Sequence, residues 1–292
     1  MPNSLPQCSF SGDALQYLPI LFLDADDTLF DTNGWIRNFV ADNYPDKLAQ
    51  FDSRPDLSIV GILGKDVEDK LLAEARFMEE ANSYPGAKWL IQHLDRVGYP
   101  YAVCTHRGYH IDGYNHTVRA LENLTGRYVP VYALNIGKGK HEFINQILRM
   151  SPYQQYLLVD DNVVPWSSEG NGVDAKHWAS QICVDQSWNR TSHTGYARVV
   201  TLDSVVVALI DRIKQNTRHL DVGMACRAEI DHVLWQLDRL VKSDPAFPEP
   251  EERATGHFKM RAFAQFRLHP ENAEKIAMQY QPHSPLACFW TP

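Results

Sequence analysis

Four aspartates follow an apolar run near the beginning of the sequence. The stretch ILFLDADDTLFDT, residues 20–32, contains Asp24, Asp26, Asp27 and Asp31 directly after large apolar side chains. A short, continuous apolar run is typical of a strand that is covered on both faces. Carboxylates gathered at the end of such a strand repel one another and lose solvation. We therefore expect a positive group, a metal ion above all, to offset their charge.

The rest of the sequence alternates between apolar runs and amphipathic segments. The runs that predict strands lie at 18–24, 99–105, 129–135, 153–161 and 180–186. Segments with helical spacing separate them, which predicts an α/β fold with a parallel sheet and helices on both faces. In such sheets ligands bind at the carboxyl ends of the strands. The unusual polar residues fall at those ends, namely Asp24, Asp26, Thr105, Asp160 and Asp161.

Four regions are predicted along the chain. Residues 1–17 form a polar N-terminal tail, and residues 18–32 and 86–214 form the α/β core. Residues 33–85 form a helical cap. Residues 215–292 form a C-terminal extension, and the sequence predicts no role for it. A helix near its start has one apolar face, formed by Ile230, Val233, Leu234, Leu237 and Val241.

Composition and charge limit the classes of partner. The 292-residue chain has a formal net charge of −8 and no run rich in Lys or Arg, which argues against binding of long nucleic acid. No segment approaches the ~20 apolar residues of a membrane span, and the N-terminus lacks the features of a signal peptide. The five cysteines are scattered without a CxxC pair, which favours reduced thiols. We expect a cytoplasmic protein with a small-molecule partner, and make no prediction of oligomeric state.

The residue types at the strand ends suit phosphoryl transfer through a covalent intermediate. Asp24 can attack phosphorus, and Asp26, two residues further on, can protonate the leaving group and then activate water. Mg²⁺ would bind to carboxylates such as Asp161, which has Asp160 beside it. Thr105 and one lysine of the GKGK segment would hold the remaining phosphate oxygens.

These segments together resemble the motifs of the haloacid dehalogenase (HAD) superfamily of phosphohydrolases. The matching stretches are FLDADDTLF (22–30), YAVCT (101–105), KGKHEFINQIL (138–148) and LLVDDN (157–162). The resemblance implies a HAD-like, three-layer Rossmann-type sheet with a small helical cap.

The same resemblance implies a role for each matched residue. Asp24 is the nucleophile and Asp26 the general acid/base, whose backbone carbonyl also contacts Mg²⁺. The phosphate is held by Thr105 and Lys140, with Lys138 as the alternative to Lys140. The metal ligands are Asp24, Asp26 and Asp161, with Asp160 as a neighbour. Asp27 stands where many members have glycine.

A finer resemblance points to the 5'(3')-deoxyribonucleotidase branch. It is carried by YPGAKWLIQHL (84–94), LLVDDN, ICVDQSWNR (182–190) and ARVVTLDSVVVALI (197–210), although Ser187 replaces the usual proline. The branch implies a nucleotide as the small phosphorylated substrate. The alternatives are a sugar-phosphate phosphatase or phosphomutase, or a non-catalytic scaffold with this fold.

The candidate carboxylates also have a plainer interpretation. Asp24 and Asp26 could cap a solvated turn, and the Asp160–Asp161 pair could begin a helix. His106 or Arg107 could contact substrate, but a metal pair of His106 and His110 is disfavoured by the intervening Gly108 and the loop position.

Four further side chains carry two interpretations. Trp188, Asn189 and Arg190 could pack at the sheet edge or line the site. Phe39 is typical of a packed core, or it could stack on a nucleobase.

Overall fold

The computed structural model describes residues 10–53, 59–149, 153–162, 180–189, 197–218 and 223–241. Within these residues one sheet contains six strands: β1 (Ile20–Leu23), β2 (Tyr101–Thr105), β3 (Val131–Ala133), β4 (Tyr156–Asp160), β5 (Gln181–Val184) and β6 (Ala197–Val199). All neighbouring strands are parallel, and their order is β3-β2-β1-β4-β5-β6. This confirms the predicted Rossmann-type α/β sheet.

The strand order reverses between β1 and β4. The chain moves outward from β1 to β3 and then returns to place β4 on the other side of β1. Leu23 pairs with Val159, so the residues that follow these two strands emerge side by side. Such a reversal opens a crevice at the carboxyl ends of the strands, where open α/β sheets bind their ligands.

Eleven helices are described around this sheet: α1 (Gly12–Leu15), α2 (Thr32–Asn43), α3 (Leu48–Asp52), α4 (Val60–Leu63), α5 (Lys65–Glu74), α6 (Phe77–Glu80), α7 (Ala87–Val97), α8 (Gly113–Thr125), α9 (Lys140–Leu148), α10 (Ser204–Thr217) and α11 (Met224–Val241). Two 3₁₀ turns span Pro45–Lys47 and Arg107–Tyr109. Every residue of β1, β2, β4 and β5 is buried, as expected for strands covered on both faces. Among the described helices none is long and apolar enough to cross a membrane.

Helices α2–α6 lie between β1 and β2 and are called the helical insert below. The insert has apolar clusters of its own, one of which is formed by Val40, Phe51, Ile59 and Leu71. Phe39 lies in this region and stacks on Trp35 with ring centroids 6.0 Å apart. The ring is therefore packed within the insert, which agrees with the core interpretation of Phe39.

The chain differs from the sequence prediction at both ends of the described region. In the predicted polar tail, Phe10, Ala14 and Leu15 are buried. A four-residue helix is too short to give a periodic pattern, so it left no signal in the sequence. At the other end α11 buries Ile230, Val233 and Leu237, but Val241, predicted on the same face, is 38% exposed because it is the last residue of the helix.

Candidate active site

Three carboxylates meet at the carboxyl ends of β1 and β4. Asp24 follows β1, Asp160 ends β4 and Asp161 is the next residue. One oxygen from each lies within 4.8 Å of the others, and all three residues are buried. The amide of Asp24 donates to the carbonyl oxygen of Val159 at 2.9 Å, which fixes the first segment against β4. The two acidic segments, distant in sequence, therefore form one cluster.

Among the described residues, Lys140 is the cation that contacts this cluster. It is the first residue of α9 and is 6% exposed. Its Nζ lies 2.8 Å from Oδ2 of Asp24 and 2.7 Å from Oδ2 of Asp160. Lys138, the alternative, is exposed, and its carbonyl oxygen is 2.7 Å from Nε2 of His106. Of the two lysines, Lys140 is the one that the structure brings to the aspartates.

Burial controls the ionisation of these groups. Burial raises the pKa of Asp24 to about 7, with Lys140 opposing the shift and Asp160 and Asp26 adding to it. Burial and the charges of Asp160 and Asp24 raise the pKa of Asp161 well above its ordinary value. Although burial opposes its charge, the carboxylates of Asp160 and Asp24 raise the pKa of Lys140.

The donor set of the cluster fits a hard divalent cation. Three carboxylates and one ammonium leave negative charge in a place with little water, and carboxylate oxygens are the ligands that Mg²⁺ prefers. A bound cation would offset this charge and lower the cost of ionising Asp24 and Asp161.

Asp26 faces a different partner, the guanidinium of Arg107. Arg107 is 1% exposed, and its Nη2 lies 2.8 Å from Oδ1 of Asp26. The hydroxyl of Thr32 also donates to Oδ1, at 2.6 Å. Although burial works against ionisation, Arg107 and Thr32 hold the pKa of Asp26 below its ordinary value. Arg107 also donates from Nη1 to the carbonyl oxygen of Met78 in α6, at 2.8 Å, so the same side chain reaches the insert.

Thr105 is the last residue of β2, the strand that pairs with β1. The pairing runs as far as Leu23 and Val103, so Thr105 lies at the same edge of the sheet as Asp24, one strand away. Its hydroxyl is buried and has no hydrogen-bond partner among the described residues. A buried hydroxyl without a partner costs about 1–3 kcal/mol. A ligand that accepts a hydrogen bond at this position would remove that cost.

The turn after Asp26 requires an unusual backbone conformation. Asp27 has a φ of 53°, in the left-handed region that favours glycine. This explains why glycine suits the position in many proteins with this motif. Asp27 tolerates it because its carboxylate accepts a hydrogen bond from the amide of Asn33 at 2.8 Å. Burial raises the pKa of Asp27 to about 8.

The segment that follows β5 supports the cluster from one side. Trp188 donates from Nε1 to Oδ2 of Asp161 at 3.1 Å, and Asn189 donates from Nδ2 to the carbonyl oxygen of Asp161 at 2.6 Å. Gln186 donates from Nε2 to the carbonyl oxygen of Asp27 at 2.7 Å. Trp188 and Asn189 therefore line the site and do more than pack at the sheet edge. Arg190 lies outside the described residues.

Two contacts could not be read from the sequence. The Arg107–Asp26 pair joins residues 81 positions apart, and a buried arginine in a strand-end loop has no distinctive pattern. The contact of Trp188 with Asp161 likewise depends on how the loop after β5 folds back. His106, which could have contacted substrate, instead bonds through Nε2 to the carbonyl oxygen of Lys138. Burial lowers the pKa of His106 to about 4.

The chain was compared with known proteins by sequence and by structure. No family model matches the chain, and no curated protein matches it. Among solved structures, a HAD family hydrolase from Deinococcus radiodurans R1, crystallised with bound phosphate and sodium, is similar over 68% of this chain and 97% of its own, with 18% identity and a TM-score of 0.41. A likeness at this level assigns neither a family nor an activity to the chain.

Removing the charge of Lys140 should destabilise the fold. We expect Lys140→Gln to lower the free energy of unfolding by about 3–5 kcal/mol at neutral pH without metal, because it leaves buried carboxylates uncompensated. Urea unfolding in the presence of a chelator measures the change. Lys138→Gln is the matched control and should stay within about 0.5 kcal/mol of wild type. Equal stability of the two variants would contradict the role of Lys140 as the compensating charge.

Proposed function

We propose that this chain is a Mg²⁺-dependent phosphomonoester hydrolase that works through an aspartyl-phosphate. The observation that carries the proposal is the meeting of Asp24, Asp160, Asp161 and Lys140 at the strand-order reversal. The resemblance of the three segments that carry these residues to HAD motifs implies the same chemistry. The fold alone would not, because sheets of this type host many activities.

In the first step Asp24 acts as the nucleophile. A carboxylate oxygen forms a bond to phosphorus while the bond from phosphorus to the leaving oxygen breaks. Water then attacks the phosphorus of the intermediate, which releases inorganic phosphate and regenerates Asp24. Asp24 and Asp161 would hold Mg²⁺, with the backbone carbonyl of Asp26, and the ion would supply positive charge to the phosphate oxygens. Lys140 and the hydroxyl of Thr105 would bind those oxygens as well.

Asp26 is assigned the proton transfers of both steps. In the present arrangement it is ionised, because Arg107 lowers its pKa. That is the form required to take a proton from the attacking water. The first step needs the protonated form. A substrate phosphate brings negative charge next to Asp26 and competes for Arg107, and both effects raise the pKa of Asp26.

A nucleotide is the proposed substrate. The proposal rests on the finer resemblance, and two residues from the corresponding segment, Trp188 and Asn189, contact Asp161. A sugar phosphate is the second candidate. The chemistry at Asp24 does not choose the leaving group, and selectivity in such an enzyme would depend on the helical insert. A non-catalytic scaffold is the third candidate, and the retention of both Asp24 and Asp26 argues against it.

Hydrolysis of an aryl phosphate should depend on both the metal and Asp24. We expect turnover of p-nitrophenyl phosphate to vanish with a chelator, to return with Mg²⁺, and to be abolished in Asp24→Asn. Asp66→Asn, an exposed change in the insert, is the control and should keep wild-type activity. If Asp24→Asn retained activity, the covalent mechanism would be wrong.

The Asp26→Asn variant isolates the proton transfers. Asparagine keeps the shape of the side chain but can no longer exchange a proton, so we expect kcat to fall by about 10²- to 10⁴-fold. Steady-state kinetics with the aryl phosphate measure the loss, and thermal unfolding checks that the variant remains folded. Unchanged turnover in a folded variant would remove Asp26 from the mechanism.

A panel of phosphomonoesters separates the substrate candidates. We expect kcat/KM to be highest for nucleoside monophosphates, with sugar phosphates at least tenfold lower. The opposite ranking would favour the sugar-phosphate alternative while leaving the chemistry at Asp24 intact. No hydrolysis of any ester, together with a cellular function that survives Asp24→Asn, would favour the scaffold.

A further inference from the structure

A second group of metal-ligand residues lies where the helical insert meets α8. His110 and Asp112 belong to the loop after the Arg107–Tyr109 turn, and His116 is in the first turns of α8. Each offers one ligand atom, and the three atoms lie within 4.8 Å of one another. The two imidazole rings are 5.3 Å apart between centroids. None of these residues belongs to the carboxylate cluster of the proposed active site.

Two hydrogen bonds define the proton position on His110. Its Nε2 lies 3.0 Å from the carbonyl oxygen of Ala73, which can only accept, so Nε2 carries the proton. Its Nδ1 accepts a hydrogen bond from the amide of Asp112 at 3.1 Å. Both contacts require the same tautomer, with the lone pair of the ring on Nδ1.

His116 has two partners at Nδ1, of which Glu79 is the nearer. Its Nδ1 contacts Oε1 of Glu79, and the Nε of Arg119 donates to that oxygen at 2.7 Å. A carboxylate paired with a guanidinium is ionised and can only accept, so Nδ1 carries the proton. The lone pair of His116 is then on Nε2. Nη2 of Arg119, 3.0 Å from the same Nδ1, can only donate and therefore competes for that position, but the contact with Glu79 is the shorter one.

This pattern is the one that metal-binding histidines show. Such a histidine donates its second ring N–H to a backbone carbonyl or a carboxylate, which fixes the orientation of the ring. Ala73 and Glu79 supply one partner of each kind.

We propose that Nδ1 of His110, Nε2 of His116 and the carboxylate of Asp112 bind a Zn²⁺ ion, with water as the fourth ligand. Tetrahedral zinc with bonds of about 2.1 Å brings its ligand atoms to about 3.4 Å from one another. The side chains must therefore close in slightly, and Asp112 is exposed and able to do so. At Nδ1 of His110 the ion would take the place of the hydrogen bond from the amide of Asp112. Two imidazoles in the set favour Zn²⁺ over Mg²⁺ and Ca²⁺, which prefer sites made of oxygen ligands.

The proposed ion would fasten the insert to the rest of the molecule. The ligands come from the loop after β2 and from α8, whereas their hydrogen-bond partners, Ala73 and Glu79, come from α5 and α6 of the insert. A metal on one ring nitrogen makes the N–H of the other a stronger donor, so binding strengthens both contacts with the insert. The ion thus acts as a clamp between two parts of the fold.

Calorimetric titration of Zn²⁺ into the full, metal-free and tag-free chain tests the proposal. Millimolar Mg²⁺ is kept present so that sites made only of carboxylates are occupied. We expect one equivalent of Zn²⁺ to bind to wild type, and at least a tenfold loss of affinity in His116→Gln and in Asp112→Asn. His93→Gln, which changes a half-buried histidine on α7, is the matched control and should bind as wild type does.

Two further measurements make the test decisive. Residue 79 would not contact the metal. Glu79→Gln should nevertheless lower the affinity for Zn²⁺ about 10- to 100-fold, because it removes the charged partner of the second ring nitrogen of His116. Zn²⁺ should also slow hydrogen exchange in α5 and α6 of wild type but not of Asp112→Asn, whose exposed side chain can change without unfolding the protein. Equal zinc affinity in wild type, Asp112→Asn and His116→Gln would overturn the proposal. Asp24→Asn should keep the zinc, so this result is independent of the proposed phosphatase activity.

Discussion

The contact of Lys140 with Asp24 and Asp160 is the interaction on which the candidate site depends. Three buried carboxylates side by side are strongly unfavourable in a medium of low dielectric constant. One buried ammonium, 2.7–2.8 Å from two of them, offsets part of that repulsion and makes the arrangement compatible with a stable fold. The charge that remains negative is the basis of the proposed Mg²⁺ site. The same excess charge that costs stability would therefore serve the binding of the proposed metal.

The parallel sheet makes this arrangement rigid. Asp24 is bonded through its amide to Val159 of β4, and the amide of Asp161 donates to the hydroxyl of Thr28 at 3.1 Å. Gln186 and Trp188 hold the same loops from the side of β5. Each acidic loop is thus bonded to a neighbouring one, and the carboxylates cannot move apart to relieve their repulsion. A site that is positioned before its ligand arrives loses less free energy on binding.

The sequence predicted the parts of this site that depend on position along a strand. A polar side chain at the carboxyl end of a buried parallel strand lies at the edge where such sheets bind ligands, so Asp24, Asp160, Asp161 and Thr105 could be predicted together. The choice between Lys138 and Lys140 stayed open, because it depends on where α9 begins, and helix starts are poorly determined by periodicity. Arg107 was assigned only a contact with substrate, because its pairing with Asp26 arises from packing between distant segments.

Arg107 also connects Asp26 to the helical insert. Its guanidinium contacts both the carboxylate of Asp26 and the carbonyl oxygen of Met78 in α6. The insert therefore helps to determine where the guanidinium lies, and hence the pKa of Asp26. The loop that begins with Arg107 continues to His110, which bonds to Ala73 of the same insert. Any displacement of the insert must strain or break both contacts, so its position and the ionisation of Asp26 are coupled through one short loop.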